Sequence, residues 1–279
     1  MGDYGSRYRR WCRSTLLVGV VNVGTEKRKL TKTEKRVVFI MVVAVIAAAA
    51  IFAWVTYAND YYKATDVAKK AMLGSTKVEV VEMDDYYVLS PSPLSSYIGP
   101  GYGKGIVFYP GGKVDEVAYA PMLSKLAEEG YEVYLVKMPA KLAILDMNAA
   151  EDIFEEADHI KEWTMMGHSL GGAMAASFSA SHDEEVDALV LLAAYSTEDL
   201  KELDIEVYSF YGSEDKVLNM EKYEEYRSNF PEDVIEEIID GGNHANYAHY
   251  GAQDGDGEAT ITREEQQECV LDIFLSVGK

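Results

Sequence analysis

Gly167-His168-Ser169-Leu170-Gly171-Gly172 sets a serine between glycines two residues before and two residues after it. The apolar run Trp163–Met166 precedes the hexapeptide and the alanine-rich run Ala173–Ala180 follows it. That is the spacing of a G-x-S-x-G nucleophile elbow, a sharp turn from strand into helix. The turn forces the serine into a strained backbone conformation, and the glycines let neighbouring elements pass close by. The hydroxyl then stands clear of the sheet. The helix N-terminus behind it favours the negative charge that develops when a carbonyl is attacked.

A serine hydroxyl needs a base, and the base needs an acid to orient it. The chain has five histidines. His159 precedes the elbow strand and sits at the wrong end of the sheet. His168 is the variable position of the elbow and is expected to point away from the nucleophile. His182 ends the elbow helix. His244 and His249 follow the last predicted strand, in the acid-then-histidine order that elbow proteins use. His244 leaves that strand directly through Asp240-Gly241-Gly242-Asn243 and is the expected base, with His249 as the alternative. The acid is expected at the turn Gly212-Ser213-Glu214-Asp215, after the strand Glu206–Tyr211. Asp215 is the choice there, ahead of Glu214 and Asp240.

Two backbone N–H groups must face the oxygen on which charge develops. One is expected from Leu170, the residue after the nucleophile. The other is expected from the loop Pro110-Gly111-Gly112-Lys113, at Gly112.

The elements that must position these groups alternate. Val78–Val81, Tyr86–Leu89, Gly105–Tyr109, Tyr131–Met138, Ala188–Ala194, Glu206–Tyr211 and Val234–Ile239 read as strands, with the elbow strand among them. Glu116–Glu129, the elbow helix and Met220–Asn229 read as helices. Asn148-Ala-Ala-Glu151 looks like a capping box opening a helix to about Ile160, and Thr262–Glu265 caps a last helix to about Ser276. Pro91–Gly105 is a loop. Such alternation predicts an α/β fold: a mostly parallel, doubly wound sheet with helices on both faces and ligands beyond the carboxyl ends of the strands. The connection Tyr195–Ile205 has no room for a lid domain, which leaves the site open.

Charge is divided along the chain. Residues 1–36 contain ten Lys or Arg and three Asp or Glu, net +7; the rest carries 16 basic and 44 acidic residues, net −28. So acidic a body argues against a nucleic-acid partner, which needs clustered cations. Between the two lies Val37–Tyr57, 21 residues without a charge. As a helix this run is about 31 Å long, matching a ~30 Å hydrocarbon core. Trp54 and Tyr57 at its far end suit an interfacial belt. The basic flank before it, against only Lys63, Lys69, Lys70 and Lys77 just after it, predicts a cytoplasmic N-terminus and an outer C-terminal body. The expected organisation is therefore a basic cytoplasmic segment 1–36, a transmembrane helix 37–57, a juxtamembrane stalk 58–77 and a domain 78–279. Cys12 and Cys269 fall on opposite sides of the membrane and imply no disulfide, and Cys269 takes an apolar position of the last helix. Asp254, Asp256 and Glu258 supply too few ligands at set positions for calcium. Neither a metal nor a cofactor is expected.

The set YPGGKVD at 109–115, GHSLGG at 167–172, YGSED at 211–215 and GGNHANYAHYG at 241–251 resembles the α/β-hydrolase superfamily. It is similar to a compact subgroup whose members are often membrane-anchored or exported, and the resemblance extends over 78–279, including the tail 255–267. The resemblance implies Ser169 as nucleophile, His244 as base, Asp215 as its partner, and Gly112 and Leu170 as oxyanion donors. Pro110 departs from the pattern of many lipases, which place histidine before the oxyanion glycines. The expected activity is hydrolysis of a small ester or thioester through an acyl-enzyme. Acyl transfer to another acceptor, or a non-catalytic binding role for the same fold, are the alternatives.

Overall fold

The computed structural model describes residues 29–94 and 99–277. Cys12 and the basic residues from Arg7 to Arg28, part of the expected cytoplasmic segment, lie outside the described residues. The chain divides into two compact units, Met1–Phe52 and Ala53–Lys279.

Helix α1 (Lys32–Asn59) contains the uncharged run and buries none of its residues. Its start is a capping box: the Glu34 N–H donates to Thr31 Oγ1 (3.2 Å) and the Thr31 N–H to Glu34 Oε2 (2.8 Å). With 28 residues and a mean hydropathy of 2.9 over its most apolar stretch, α1 is long and apolar enough to cross a membrane.

The second unit is built on one eight-stranded sheet. Its strands are β1 (Val78–Glu82), β2 (Tyr86–Pro91), β3 (Lys104–Tyr109), β4 (Glu132–Val136), β5 (Glu162–His168), β6 (Ala188–Leu192), β7 (Glu206–Gly212) and β8 (Ile235–Ile239). The spatial order is β1-β2-β4-β3-β5-β6-β7-β8. β1–β2 and β2–β4 pair antiparallel, and every other pair is parallel. The central strands are apolar on both faces because both are covered. Ile106 and Phe108 face a layer made by α2 (Asp66–Ala71), α3 (Ala120–Glu128) and α7 (Arg263–Val277). Val107 and Tyr109, one step out of phase, face α4 (Ala150–Glu156), α5 (Leu170–Ser181) and α6 (Met220–Tyr226). Edge strand β8 carries Glu236 and Glu237, charges that discourage pairing with another chain.

Strand order reverses around β3: β4 lies on one side of it and β5 on the other. In α/β sheets such a reversal opens a crevice at the carboxyl ends. Register aligns those ends. Tyr109 sits opposite Gly167, His168 opposite Leu192, Leu192 opposite Phe210, and Gly212 opposite Ile239. The loops that leave them emerge side by side.

Two expectations need correction. Residues 58–77 are not a free stalk. Tyr62 bridges to Val114, the Thr65 N–H donates to the His249 carbonyl (2.8 Å), and Ala64 and Ala68 are buried in the α3–α7 layer. The small side chains that looked like spacer let this segment lie close on the body. The box at Asn148 does not cap α4 either. Asn148 Nδ2 donates to the Glu151 side chain (2.8 Å), Ala149 is the capping position, and the helix stops at Glu156. At the other end, Thr262 and Glu265 form the reciprocal bonds of a capping box for α7.

The packing of the 60–71 segment makes Ala68, fully buried, a sensitive position. Ala68→Leu is expected to overpack the site and cost about 1–3 kcal/mol, read as a lower urea midpoint at unchanged slope.

Candidate active site

Ser169 sits at the junction of β5 and α5 with φ 52° and ψ −121°, a left-handed conformation that a side chain rarely adopts. Two close approaches hold it there. A Cβ on Gly171 would lie 2.1 Å from the Tyr109 carbonyl oxygen, and one on Gly167 would lie 2.6 Å from the Gly171 backbone. Only hydrogen fits at either place, so α5 starts directly against the end of β3. The Ser169 N–H donates to the Leu192 carbonyl (2.9 Å), which ties the elbow to β6 as well.

The end of β7 turns at Gly212–Asp215. The Ser213 N–H donates to Ile239 O (3.0 Å) and the Glu214 N–H to Gly242 O (2.8 Å), binding this turn to the loop after β8. Asp215 points inward with its side chain fully enclosed. Its Oδ1 accepts the N–H groups of Val217 and Leu218, both at 2.8 Å, and its Oδ2 accepts from His244 Nδ1 at 2.8 Å. That bond fixes the His244 tautomer with Nδ1 protonated toward Asp215, so Nε2 is the nitrogen free to accept a proton. His244 and Ser169 line the same cleft, about 280 Å³, with Ala193, Tyr195, Val217 and Leu218 among its walls. Larger depressions of about 580 and 660 Å³ lie elsewhere and include neither Ser169 nor His244.

On the other side of Ser169, the loop after β3 runs beside the elbow. A Cβ on Gly112 would stand 3.1–3.4 Å from the Leu170 side chain, so these two residues are neighbours. The Gly111 N–H is occupied by Tyr119 Oη (2.9 Å) and the Lys113 N–H by the Lys141 carbonyl (2.7 Å). The N–H groups of Gly112 and Leu170 have no partner among the described residues. Lys113 and Lys141 both take positive φ, 58° each, where the two loops cross, and the Lys141 ammonium pairs with the buried Glu116 carboxylate.

The structure thus brings together Ser169, Leu170, Gly112, Asp215 and His244. It places the alternatives elsewhere. The His249 backbone joins α2 to the turn before α3, and burial foremost holds its imidazole pKa below the usual value. His159 is exposed and reaches Glu132 at the start of β4, and the His182 ring stacks on Phe178.

His168 is not among the residues that line the Ser169 cleft, but it packs against the candidate base: its ring centroid lies 4.6 Å from that of His244, and its Nδ1 lies 2.7 Å from Tyr119 Oη. Burial, and secondarily the neighbouring His244 charge, push its pKa well below the ordinary histidine value, so it stays neutral.

Asp256, one of the three acidic residues too few for a calcium loop, has its carboxylate taken by backbone donors. Oδ1 accepts from Gly257 (2.8 Å), His244 (3.3 Å) and Lys216 (3.4 Å), and Oδ2 from Ala245 (2.9 Å). One side chain therefore holds both the loop after Asp215 and the loop of His244. Gln266 on α7 adds a reciprocal pair with the Asn243 backbone, at 2.9 and 2.8 Å. An aspartate between two glycines, fourteen residues after Gly242, was the available sequence signal.

If the Ser169 backbone stores strain, glycine relieves it. Ser169→Gly is expected to be more stable than Ser169→Ala by about 1 kcal/mol, read from paired thermal melts, since both lack the hydroxyl and differ at Cβ.

A model of the alpha/beta hydrolase family matches residues 105–268. A protein of Mycobacterium phage D29, provisionally named a non-heme haloperoxidase, is 34% identical over 104 residues, covering 34% of this chain. The match spans 37% of that protein's length. Esterase 2 of Thermogutta terrifontis, phosphonylated by sarin, superposes with a TM-score of 0.51 at 13% identity, over 74% of this chain and 96% of the esterase. Its butyrate-bound form gives 0.50 at 14% identity, over 72% and 95%. At such identities the likeness is one of fold. With more than half its length matched by the family model, and with the sheet order and elbow described above, the chain belongs to the α/β-hydrolase family.

Proposed function

We propose that the protein is a serine hydrolase of small carboxylic esters or thioesters, held to a membrane by α1. The observation that carries this reading is the His244 Nδ1–Asp215 Oδ2 bond of 2.8 Å beside a cleft shared with the strained Ser169. The esterase among the structural likenesses agrees with it.

In the first half of the reaction, His244 Nε2 takes the Ser169 proton as Oγ bonds to the substrate carbonyl carbon. The carbonyl oxygen gains charge and receives the free N–H groups of Gly112 and Leu170. The carbon–oxygen or carbon–sulfur bond then breaks, and His244 returns the proton to the departing alcohol or thiol. In the second half, water gives a proton to His244 and attacks the acyl carbon, releasing the acid and restoring Ser169. Asp215 orients the imidazole and stabilises its charged form.

Substrate size follows from the cleft. At about 280 Å³ it falls below the ~300–1,000 Å³ of drug-sized sites, and among its walls Ala193, Tyr195, Val217 and Leu218 bring no charged side chain. A short, uncharged acyl group fits. The connection Tyr195–Ile205 forms no helix or strand above it. For the N-terminal part, the uncharged run within α1 and the positive flank support an anchor with residues 1–36 in the cytoplasm and the hydrolase unit outside.

Ser169→Ala is expected to abolish both hydrolysis of p-nitrophenyl acetate and labelling by a fluorophosphonate. Asp215→Asn is expected to lower kcat about 10³–10⁴-fold. Rates should peak between acetyl and butyryl esters and fall for octanoyl. Full activity of the Ser169→Ala variant would overturn the assignment.

The anchor has its own test. The full chain should float with membranes in a density gradient and resist alkaline carbonate, and N-terminal sequencing of that fraction should find residues ahead of Val37. A soluble product beginning after Tyr57 would identify a cleaved leader instead.

A further inference from the structure

Two buried side chains near the elbow have no part in the reaction as described. Tyr119, fully buried in the turn before α3, and His168, 1% exposed at the end of β5, are 49 residues apart in sequence and meet at 2.7 Å. One assignment of their hydrogen bonds places the phenol proton on a partner. The Gly111 N–H can only donate, so Tyr119 Oη accepts it at 2.9 Å. Burial drives the Tyr119 pKa far above its ordinary value, so the phenol keeps its proton. That proton is left for His168 Nδ1. A neutral imidazole that accepts at Nδ1 carries its own proton on Nε2. On that assignment the donors run from Gly111 through Tyr119 to His168, and the chain joins the loop after β3 to the residue preceding Ser169.

The position of this chain bears on the oxyanion donors. By engaging Gly111, it fixes the peptide next to Gly112 and leaves Gly112 as the unpartnered donor beside Leu170. There is no room to do this differently: a Cβ on Gly111 would lie 2.7 Å from His168 Nδ1 and 2.8 Å from Tyr119 Oη. A neutral His168 also spares His244, whose ring lies 4.6 Å away, from a second positive charge when it takes the serine proton.

We propose that Tyr119 and His168 are positioning residues for the oxyanion site, acting as a directed relay that holds Gly111 so that the Gly112 N–H faces the reacting carbonyl. This rests on the serine-hydrolase reading of the same site. It assigns a role to the elbow's variable position, and it makes the acceptor atom at His168 the requirement, not its basicity.

The unmodified protein gives the first test. Nitrogen-15 NMR of His168, assigned through its contact with the Tyr119 ring, should show an unprotonated Nδ1 and a protonated Nε2 across the neutral range. The opposite tautomer or a charged ring would overturn the relay whether or not the protein hydrolyses esters. The second test uses variants. Tyr119→Phe and His168→Leu should lower kcat by up to about 10²-fold with KM changed less than about twofold, as expected for a misplaced donor. In their adducts with a fluorophosphonate, the phosphorus-31 resonance of the Ser169 ester should move toward that of the unfolded adduct, because the phosphoryl oxygen loses its donors. His168→Asn, whose Oδ1 replaces Nδ1 as acceptor, should keep the wild-type shift and most of kcat. A wild-type resonance and rate in Tyr119→Phe, or a His168→Asn variant as impaired as His168→Leu, would overturn the proposal. Failure of the wild type to form the adduct at all would instead remove the hydrolase reading, with the tautomer measurement still deciding the relay.

Discussion

The contact between two backbones, at Gly171 against the carbonyls of Tyr109 and Pro110, governs the rest of the site. Because no side chain separates them, the N-terminus of α5 is pressed onto the end of β3. Parallel register then makes Tyr109 the neighbour of Gly167, and the loop after β3 has to run past Ser169. The positive φ of Ser169 is the local cost of that geometry, and the hydrogen bonds of β5 to β3 and β6 hold it in place. A serine presented this way is set by the sheet, not by the flexibility of a loop.

The second half of the site is made differently. Asp215 and His244 leave strands β7 and β8, whose ends pair at Gly212 and Ile239, but their loops are longer and need fastening. Asp256 collects backbone donors from both, and Gln266 holds the entry to the histidine loop from α7. Buried polar groups satisfied in this way specify one arrangement, because any other would leave donors unpaired in a dry interior. The 2.8 Å bond between Asp215 and His244 is the product of those fastenings.

The sequence carried the periodic parts of this design clearly. Runs such as Gly105–Tyr109 and Ala188–Ala194 are too apolar and too short for anything but covered strands, and the elbow glycines mark a close approach that only glycine permits. Asp215 and His244 were legible because strand ends in a parallel sheet must converge. What was not legible depends on partners far away in the chain. The fate of His168 is decided by Tyr119, and that of Asp256 by the Lys216 and His244 backbones, none of which periodicity reveals. The segment 58–77 reads as a spacer because alanine serves equally in a spacer and beneath a helix, and only the surface it meets decides which. Asn148 carried a capping pattern, yet its amide found a side chain before a backbone.

The uneven charge has a consequence for turnover. The chain after residue 36 carries a net −28, so the hydrolase unit is surrounded by negative potential. Under the proposed reaction a neutral ester enters and a carboxylate is made at the bottom of a small apolar cleft. The entering molecule feels that potential weakly, whereas the newly formed anion is expelled by it. The same acidic surface would thus favour departure of the product and make its return unfavourable.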